Sequence, residues 1–495
     1  MQSYTSWTLR MVHRISHIAT VNNMCQPSVC RPGNDISGKE RRTVVTLSVI
    51  FVVIFSGFVG IQNLQSTLNN EEGYGVISLS ILYAGFLLSS IFAPSFIQLF
   101  TPKGCLIIGF IAHVVYTASN LHPVFWTLLP ASAFVGITSG LIWTTQGMYI
   151  SHCAISFSQT QNVQMREIFG KFHGIFFFSY AFPSILGNLV SSIILMQGDY
   201  NVTTNASEYG RIKVCGADLC PEQSVAEGQF ALPDALTVKI LMSAFVISSI
   251  IGLLLCICLL PSLPAPVTSS KNSAIRKMLS ASHFCLRVNT EVEMILMIPS
   301  IVLLSFVESF RWIDVSKAYI SCPYGVQFVG FAMALHGVFS GISSIVLPRL
   351  ANLIGRKYVL TLLIIGFTIT YVVFLEWTPI KDELPQMMGF ISIQGVLEGG
   401  FNTMQCALLS SIYPTKTDAA FASLATWKSL GNTTIICLAY YLCERSRLYI
   451  IISVGILSIT TYVALEIRLR LKKKIPEVED EEENESNEEL KMSAI

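Results

Sequence analysis

The sequence is short of charge. Only 13% of its 495 residues are Asp, Glu, Lys or Arg, while 52% are hydrophobic. A soluble domain carries about 25% charged residues, so the composition points to lipid. Polar length is scarce as well. Twelve apolar stretches approach the roughly 20 residues that a spanning helix needs. They start near Thr43, Val76, Gly104, Val124, Phe169, Thr237, Val292, Tyr324, Lys357, Leu384, Asp418 and Leu448, and they leave almost nothing for a soluble catalytic domain. Also missing are a His-Glu-x-x-His motif, paired aspartates within the apolar runs, and a nucleophile with a base at helical spacing. No enzyme is expected. The first 42 residues are polar and basic, without the apolar core and small-residue cleavage site of a signal peptide, so the first helix is expected to serve as an uncleaved anchor. No nucleic-acid site, metal or cofactor is expected either. Cys25 and Cys30, downstream of His13 and His17, fit no strong ligand spacing.

The charges that are present are segregated. Lys and Arg favour the cytoplasmic side of short loops. With the N-terminus inside, the inner segments carry Lys103, Arg166 and Lys171, Lys271 to Arg287, Arg349 to Lys357, Lys416, and the run Arg468 to Lys474. Arg445 and Arg447, in the last outer turn, run against this pattern. Both termini are therefore expected in the cytoplasm. The longest outer loop, residues 197–236, holds the N-glycosylation sequons at Asn201 and Asn205 and the sequence CGADLC, Cys215 to Cys220. Two cysteines this close in a secretory-pathway loop are expected to form a disulfide with each other. A third sequon, at Asn432, falls inside an apolar run and is taken as a chance match.

The expected organisation follows. Residues 1–42 form a disordered cytoplasmic arm, 43–260 a first six-helix bundle, 261–291 a Pro- and Ser-rich cytoplasmic linker, 292–467 a second six-helix bundle, and 468–495 a tail. The tail turns from basic to a run of acids, EVEDEEENESNEE, which like-charge repulsion is expected to keep disordered. An all-α membrane protein of twelve helices in two halves of six, with both ends inside, has the layout of major-facilitator proteins. Between helices eight and nine, RLANLIGRKYVL resembles the cytoplasmic loop signature of that fold. There Arg349 and Gly355 precede Arg356 and Lys357, which would serve the negative C-terminal end of helix eight.

Ionised groups in the bilayer are costly and mark function by default. The first half has none in its helix centres. Its candidate polar residues are neutral: Gln62 and Asn63 on helix one, Trp143 and Gln146 on helix four, and Asn188 on helix five. Such groups bind helices together or line a neutral cavity, and they have no proton to trade. The second half differs. In QGVLEGGFNTMQ, Gln394, Glu398, Asn402 and Gln405 recur at spacings of 4, 4 and 3 and share one helical stripe. On helix eleven Lys428 lies about 15 Å from the cytoplasmic end, against about 21 Å for Glu398 on helix ten, at 1.5 Å per residue. Glu398 and Lys428 are expected to pair, the alternative being that each finds water or amides in a central cavity. Glu308 and Arg311 read as an interfacial pair near the outer end of helix seven, and His113 and His173 as packed imidazoles.

The stretch GIQNLQSTLNNEEGYGVISLSILYAGFLLSSIFAP closely resembles the first two helices of the uncoordinated-ninety-three (Unc-ninety-three-like) family of major-facilitator-like membrane proteins. LIWTTQGMYIS, LGNLVSSII, CGADLC, CPYGVQFVGFAM and DAAFASLATWKSLG fit the same family in order, across nearly the whole spanning region. Members described act as accessory proteins. One branch regulates a muscle potassium channel, and another escorts innate immune receptors. The resemblance implies a regulatory or trafficking subunit in the plasma membrane, with an endomembrane address as the alternative, and a membrane-protein partner such as a potassium channel. The competing expectation is a secondary transporter of a small solute that uses Glu398.

Overall fold

The computed structural model describes residues 36–68, 74–196, 215–220, 235–263, 287–324, 327–439 and 441–492. Asn201 and Asn205, most of the expected linker and nearly all of the N-terminal arm lie outside them. Contacts divide the chain into Met1–Lys39, of which only the start of the first helix is described, and Glu40–Ile495, which holds the bundle.

Twelve long helices are described. They are α1 (Ile36–Leu68), α2 (Tyr74–Phe100), α3 (Pro102–Ser119), α4 (Phe125–Gln161), α5 (Met165–Met196) and α6 (Ala235–Leu259), then α7 (Val292–Phe310), α8 (Gln327–Ile354), α9 (Arg356–Glu376), α10 (Leu384–Ile412), α11 (Thr417–Leu438) and α12 (Glu444–Met492). Ten of the described helices are long and apolar enough to cross a membrane. The two that fall short, α10 and α11, are the ones that carry the polar stripe and Lys428. Their place inside the bundle, rather than their composition, makes them spanning helices.

Local sequence sets the breaks. Thr101 opens α3 with its hydroxyl accepting from the Gly104 amide and Pro102 filling the first turn, the position where proline's missing N–H costs nothing. The turn between α8 and α9 is made by Gly355 at φ 103°, a left-handed conformation that glycine adopts without steric cost. α7 does not stop at Phe310. It continues as a π-helix over Arg311–Ser321 and a last turn over Cys322–Tyr324, so that one span runs for 33 residues.

Lipid tails give little hydrophobic drive between helices, so close backbone approach at small residues holds the bundle. Within the first half, α2 packs on α4, and α3 on α4 and α6. Within the second, α8 packs on α10 and α12 on α7 and α9. Between the halves α5 lies against α8 and α10, and α11 against α2 and α4. The glycines of α10 face α8: a side chain at Gly399 would strike the Ser340 carbonyl, and one at Gly395 the His336 carbonyl.

Three expectations are corrected here. Cys215 and Cys220 do not pair with each other. Cys215 is bonded to Cys322 at the end of α7, and Cys220 to Cys443 just before α12. A short 3-10 turn at Gly216–Asp218 separates the two cysteines and offers each to a different helix end. The partners stand 107 and 223 residues away in sequence, and connectivity of that kind is not readable from cysteine spacing. The acidic tail continues α12 to Met492. Glu and Lys are good helix formers, and extending an existing helix avoids the nucleation cost. Arg356 does not serve the end of α8. It reaches Glu466 on α12 and the Ser411 hydroxyl, while Lys357 lies over the Tyr358 ring and Arg349 is exposed.

Candidate functional site

Between the halves lies a cavity of about 200 Å³. Its two walls have opposite character. The wall from the first half is aromatic and neutral, with Phe55, Phe58, Trp143 and Tyr180 in mutual contact and His113 packed 4.9 Å from Phe55 and 4.7 Å from Phe58. The wall from the second half carries four charges.

Those charges sit at mid-span. Glu308 is sixteen residues from either end of the Val292–Tyr324 span. Glu398 is fourteen residues from either end of α10, and Lys428 is near the centre of α11. Arg311 grips Glu398 with a fork: Nε donates to Oε2 at 3.0 Å and Nη2 to Oε1 at 2.9 Å. His336 of α8 brings Nε2 within 3.3 Å of the same carboxylate. Lys428 donates to Glu308 at 3.0 Å. The expected Glu398–Lys428 pair is therefore not formed, and Glu308 and Arg311 are not an interfacial pair. Each acid has taken the other's expected partner. The reason is the length of α7. A helix of about 20 residues from Val292 would end at Arg311, whereas the extension carries the span on to Tyr324 and leaves Arg311 in its interior, at the cavity.

The other sequence candidates divide. Gln62, Trp143, Gln146 and Asn402 line the cavity with Glu398 and Lys428. Gln62 donates to the Tyr83 hydroxyl at 2.7 Å, and the Tyr83 ring stacks on Trp312 across the two halves. Gln146 is buried with its amide nitrogen pointing to no protein acceptor. Gln394 instead donates to Tyr371 on α9, and Gln405 to Ser300 on α7. Asn188 bonds its own helix at the Ser184 carbonyl. Gln394 and Gln405 tie helices together, and none of the three lines the cavity. Asn432 lines the cavity and accepts from the buried Ser309 hydroxyl. The side chain of Asn63 lies outside the described ones. Sequence reasoning passed over His336, Tyr83 and Trp312. The one signal that pointed to Arg311 was its being a cation in an apolar run.

Below the cavity, toward the ends where α4 finishes and α5 begins, the halves meet directly. The Ser151 and Ser410 hydroxyls are 2.9 Å apart, and His173 Nε2 is 3.0 Å from Ser410. Gly147 of α4 lies against the Phe421 ring so closely that any side chain would collide with it. Gly147→Val is expected to force the halves apart on this side. The check is alkylation of cavity-facing cysteines introduced one at a time, from the side on which α4 ends, with faster labelling in the variant than in the parent.

The opposite end of the bundle, where α12 begins, has a second buried cluster. Arg447 of α12 binds Asp314 of the π-helical segment at 2.6 Å and Glu444 at 2.8 Å, all nearly inaccessible. Arg445 pairs with Asp218 of the outer loop. The two arginines that ran against the positive-inside pattern are thus neutralised by acids.

Comparison with known proteins agrees with this architecture. A family described as ion channel regulatory protein UNC-93 matches residues 65–322, and the Major Facilitator Superfamily matches residues 290–492. The protein unc-93 homolog A of Bos taurus is 27% identical over 431 residues, covering 86% of this chain and 93% of its own length. The Caenorhabditis elegans unc-93 protein, whose name refers to potassium channel regulation, is 24% identical over 444 residues, covering 88% of this chain and 62% of its own. Among solved structures, the human organic anion transporter MFSD10 (TETRAN) superposes with a TM-score of 0.59 at 10% identity, over 86% of this chain and 99% of that one. That likeness is one of fold: an all-α, twelve-helix, major-facilitator bundle in two halves of six.

Proposed function

This chain belongs to the UNC-93 family of ion channel regulatory proteins, and from that premise we propose that it is an accessory subunit that regulates or traffics a partner in the membrane. A potassium channel is the favoured partner, in keeping with the name of the Caenorhabditis elegans relative. The observation that carries the reading is the state of the cavity acids. Among the described residues, Glu398 and Glu308 are each bound by a basic side chain, and the first half contributes only neutral side chains and His113 to the lining. A bundle whose charges are satisfied internally is suited to holding a shape that a neighbour recognises. Gln62, Trp143, Gln146, Asn402, Glu398 and Lys428 then form a central polar site that sets this shape.

The same reading assigns residues 43–260 and 292–467 to the two bundles, with 261–291 as a cytoplasmic linker. It puts both termini in the cytoplasm and the protein in the plasma membrane. The four bonded cysteines support that orientation. They lie together where the α7 span ends and α12 begins, and disulfides persist on the oxidising side of a membrane.

A transporter remains the second reading, favoured by the cavity between the halves. Co-expression with potassium channels separates the two. The accessory reading expects a channel that co-purifies in fixed ratio and whose current or surface amount changes when this chain is removed. The outcome against it is a protein that purifies alone and carries a solute in proteoliposomes, with flux lost in Glu398→Gln while the protein still reaches the surface.

A further inference from the structure

We infer that the disulfide-bonded outer loop, Cys215–Cys220, controls the cavity by holding the π-helical segment of α7 in register. The inference rests on covalent and ionic geometry and is independent of the partner proposed above.

The segment Arg311–Ser321 is π-helical over eleven residues. Hydrogen bonding from i to i+5 occurs mostly as single-turn bulges, commonly at functional sites. A run this long persists only where its surroundings over-determine it. Two ties do so from the outer loop. The first is direct: Cys215 is bonded to Cys322, the residue that follows the segment. The second acts through α12. Cys220 is bonded to Cys443, the Leu219 carbonyl accepts from the Glu444 amide at 3.0 Å, and Arg447 three residues further on binds Asp314 inside the segment. Both disulfides of the described structure thus converge on the same eleven residues. The loop is itself seated: Gly216, at φ 80°, lies where an added Cβ would be 3.0 Å from Pro379 and 3.3 Å from the Trp377 carbonyl.

The inner end of the segment is the cavity wall. Arg311, its first residue, holds Glu398, and Trp312 meets Tyr83 of the other half. A return of the segment to α-helical bonding rotates successive side chains relative to their present directions. Asp314 and Arg311 cannot then both keep their partners. Release of the outer loop is therefore communicated to the Arg311–Glu398 pair about one membrane leaflet away. A partner's extracellular segment that displaces the loop has the same route inward.

Hydrogen–deuterium exchange on the full-length protein in lipid nanodiscs tests this, with peptides covering 311–321 and 394–402. In Cys215→Ser with Cys322→Ser, exchange in both peptides is expected to rise about tenfold, because each loses a stabilised closed form, while α3 and α6 stay unchanged. Should that variant fail to fold, the purified wild-type protein treated with a phosphine reductant, with cleavage verified by mass, is expected to give the same result. Gly216→Val, which keeps all four cysteines, is expected to raise exchange in the same two peptides. Faster exchange in 311–321 alone overturns the coupling, since the loop is then a local brace. A uniform rise in all helices, or no change after verified cleavage, overturns it equally.

Discussion

Arg311→Met is expected to remove most of the folded protein from the membrane, and adding Glu398→Leu to restore much of it. Removing one partner of a buried ion pair costs about 3–5 kcal/mol, because the other charge is left uncompensated, whereas replacing both with apolar groups is often neutral. That single loss is a large part of a total stability of about 5–15 kcal/mol. The geometry puts this pair at the severe end. Arg311 makes two charge-assisted bonds to Glu398, the arrangement that gives the strongest of such contacts, and both side chains are buried at mid-span. His336, 3.3 Å away, is the only other polar side chain within reach of that carboxylate among the described contacts. Lys428→Met is expected to cost less, since the lysine is more open to the cavity. Detergent-solubilised yield by size exclusion, followed by thermal unfolding of each variant, measures the series. A double variant that loses as much as the sum of Arg311→Met and Glu398→Leu measured singly would show that the two side chains are not coupled.

Arg447→Met should have an effect of the same order or larger, for a different reason. Here one cation serves two acids, Asp314 and Glu444, each a few per cent exposed. Its removal leaves two buried acids without their shared cation in a space already closed by a disulfide at Cys443, and a broken buried pair costs roughly 3–5 kcal/mol. Arg445→Ala, two residues earlier, supplies the control. Its pair with Asp218 is about half exposed, and surface pairs contribute about 0–1 kcal/mol. Thermal unfolding in nanodiscs should separate the two neighbours by several degrees or by complete loss of Arg447→Met. Similar behaviour of the two variants would place Arg447 in water, contrary to its burial.

Both experiments bear on the family's working principle. A pump must let its central carboxylate exchange partners in each cycle. In this chain Glu398 and Glu308 are neutralised from within, by residues of neighbouring helices, and the first half opposes them with aromatic rings and amides. The same ion pairs that make the second half costly to mutate hold it in a defined form, the form that the proposed accessory role requires.

Much of this was legible in one dimension. The lack of charge and the twelve apolar runs were enough for a helical membrane bundle, and Glu398 and Lys428 stood out as charges deep in their helices, because burial in lipid penalises each residue according to its own chemistry. Which groups pair is a different kind of fact. Arg311 meets Glu398 in the interior because α7 continues past it to Tyr324, Lys428 meets Glu308, and Cys215 and Cys220 each find a helix end more than a hundred residues away. Partner choice depends on distance and direction in the folded chain, to which spacing along the sequence is blind once a helix departs from 3.6 residues per turn or a loop crosses between bundles.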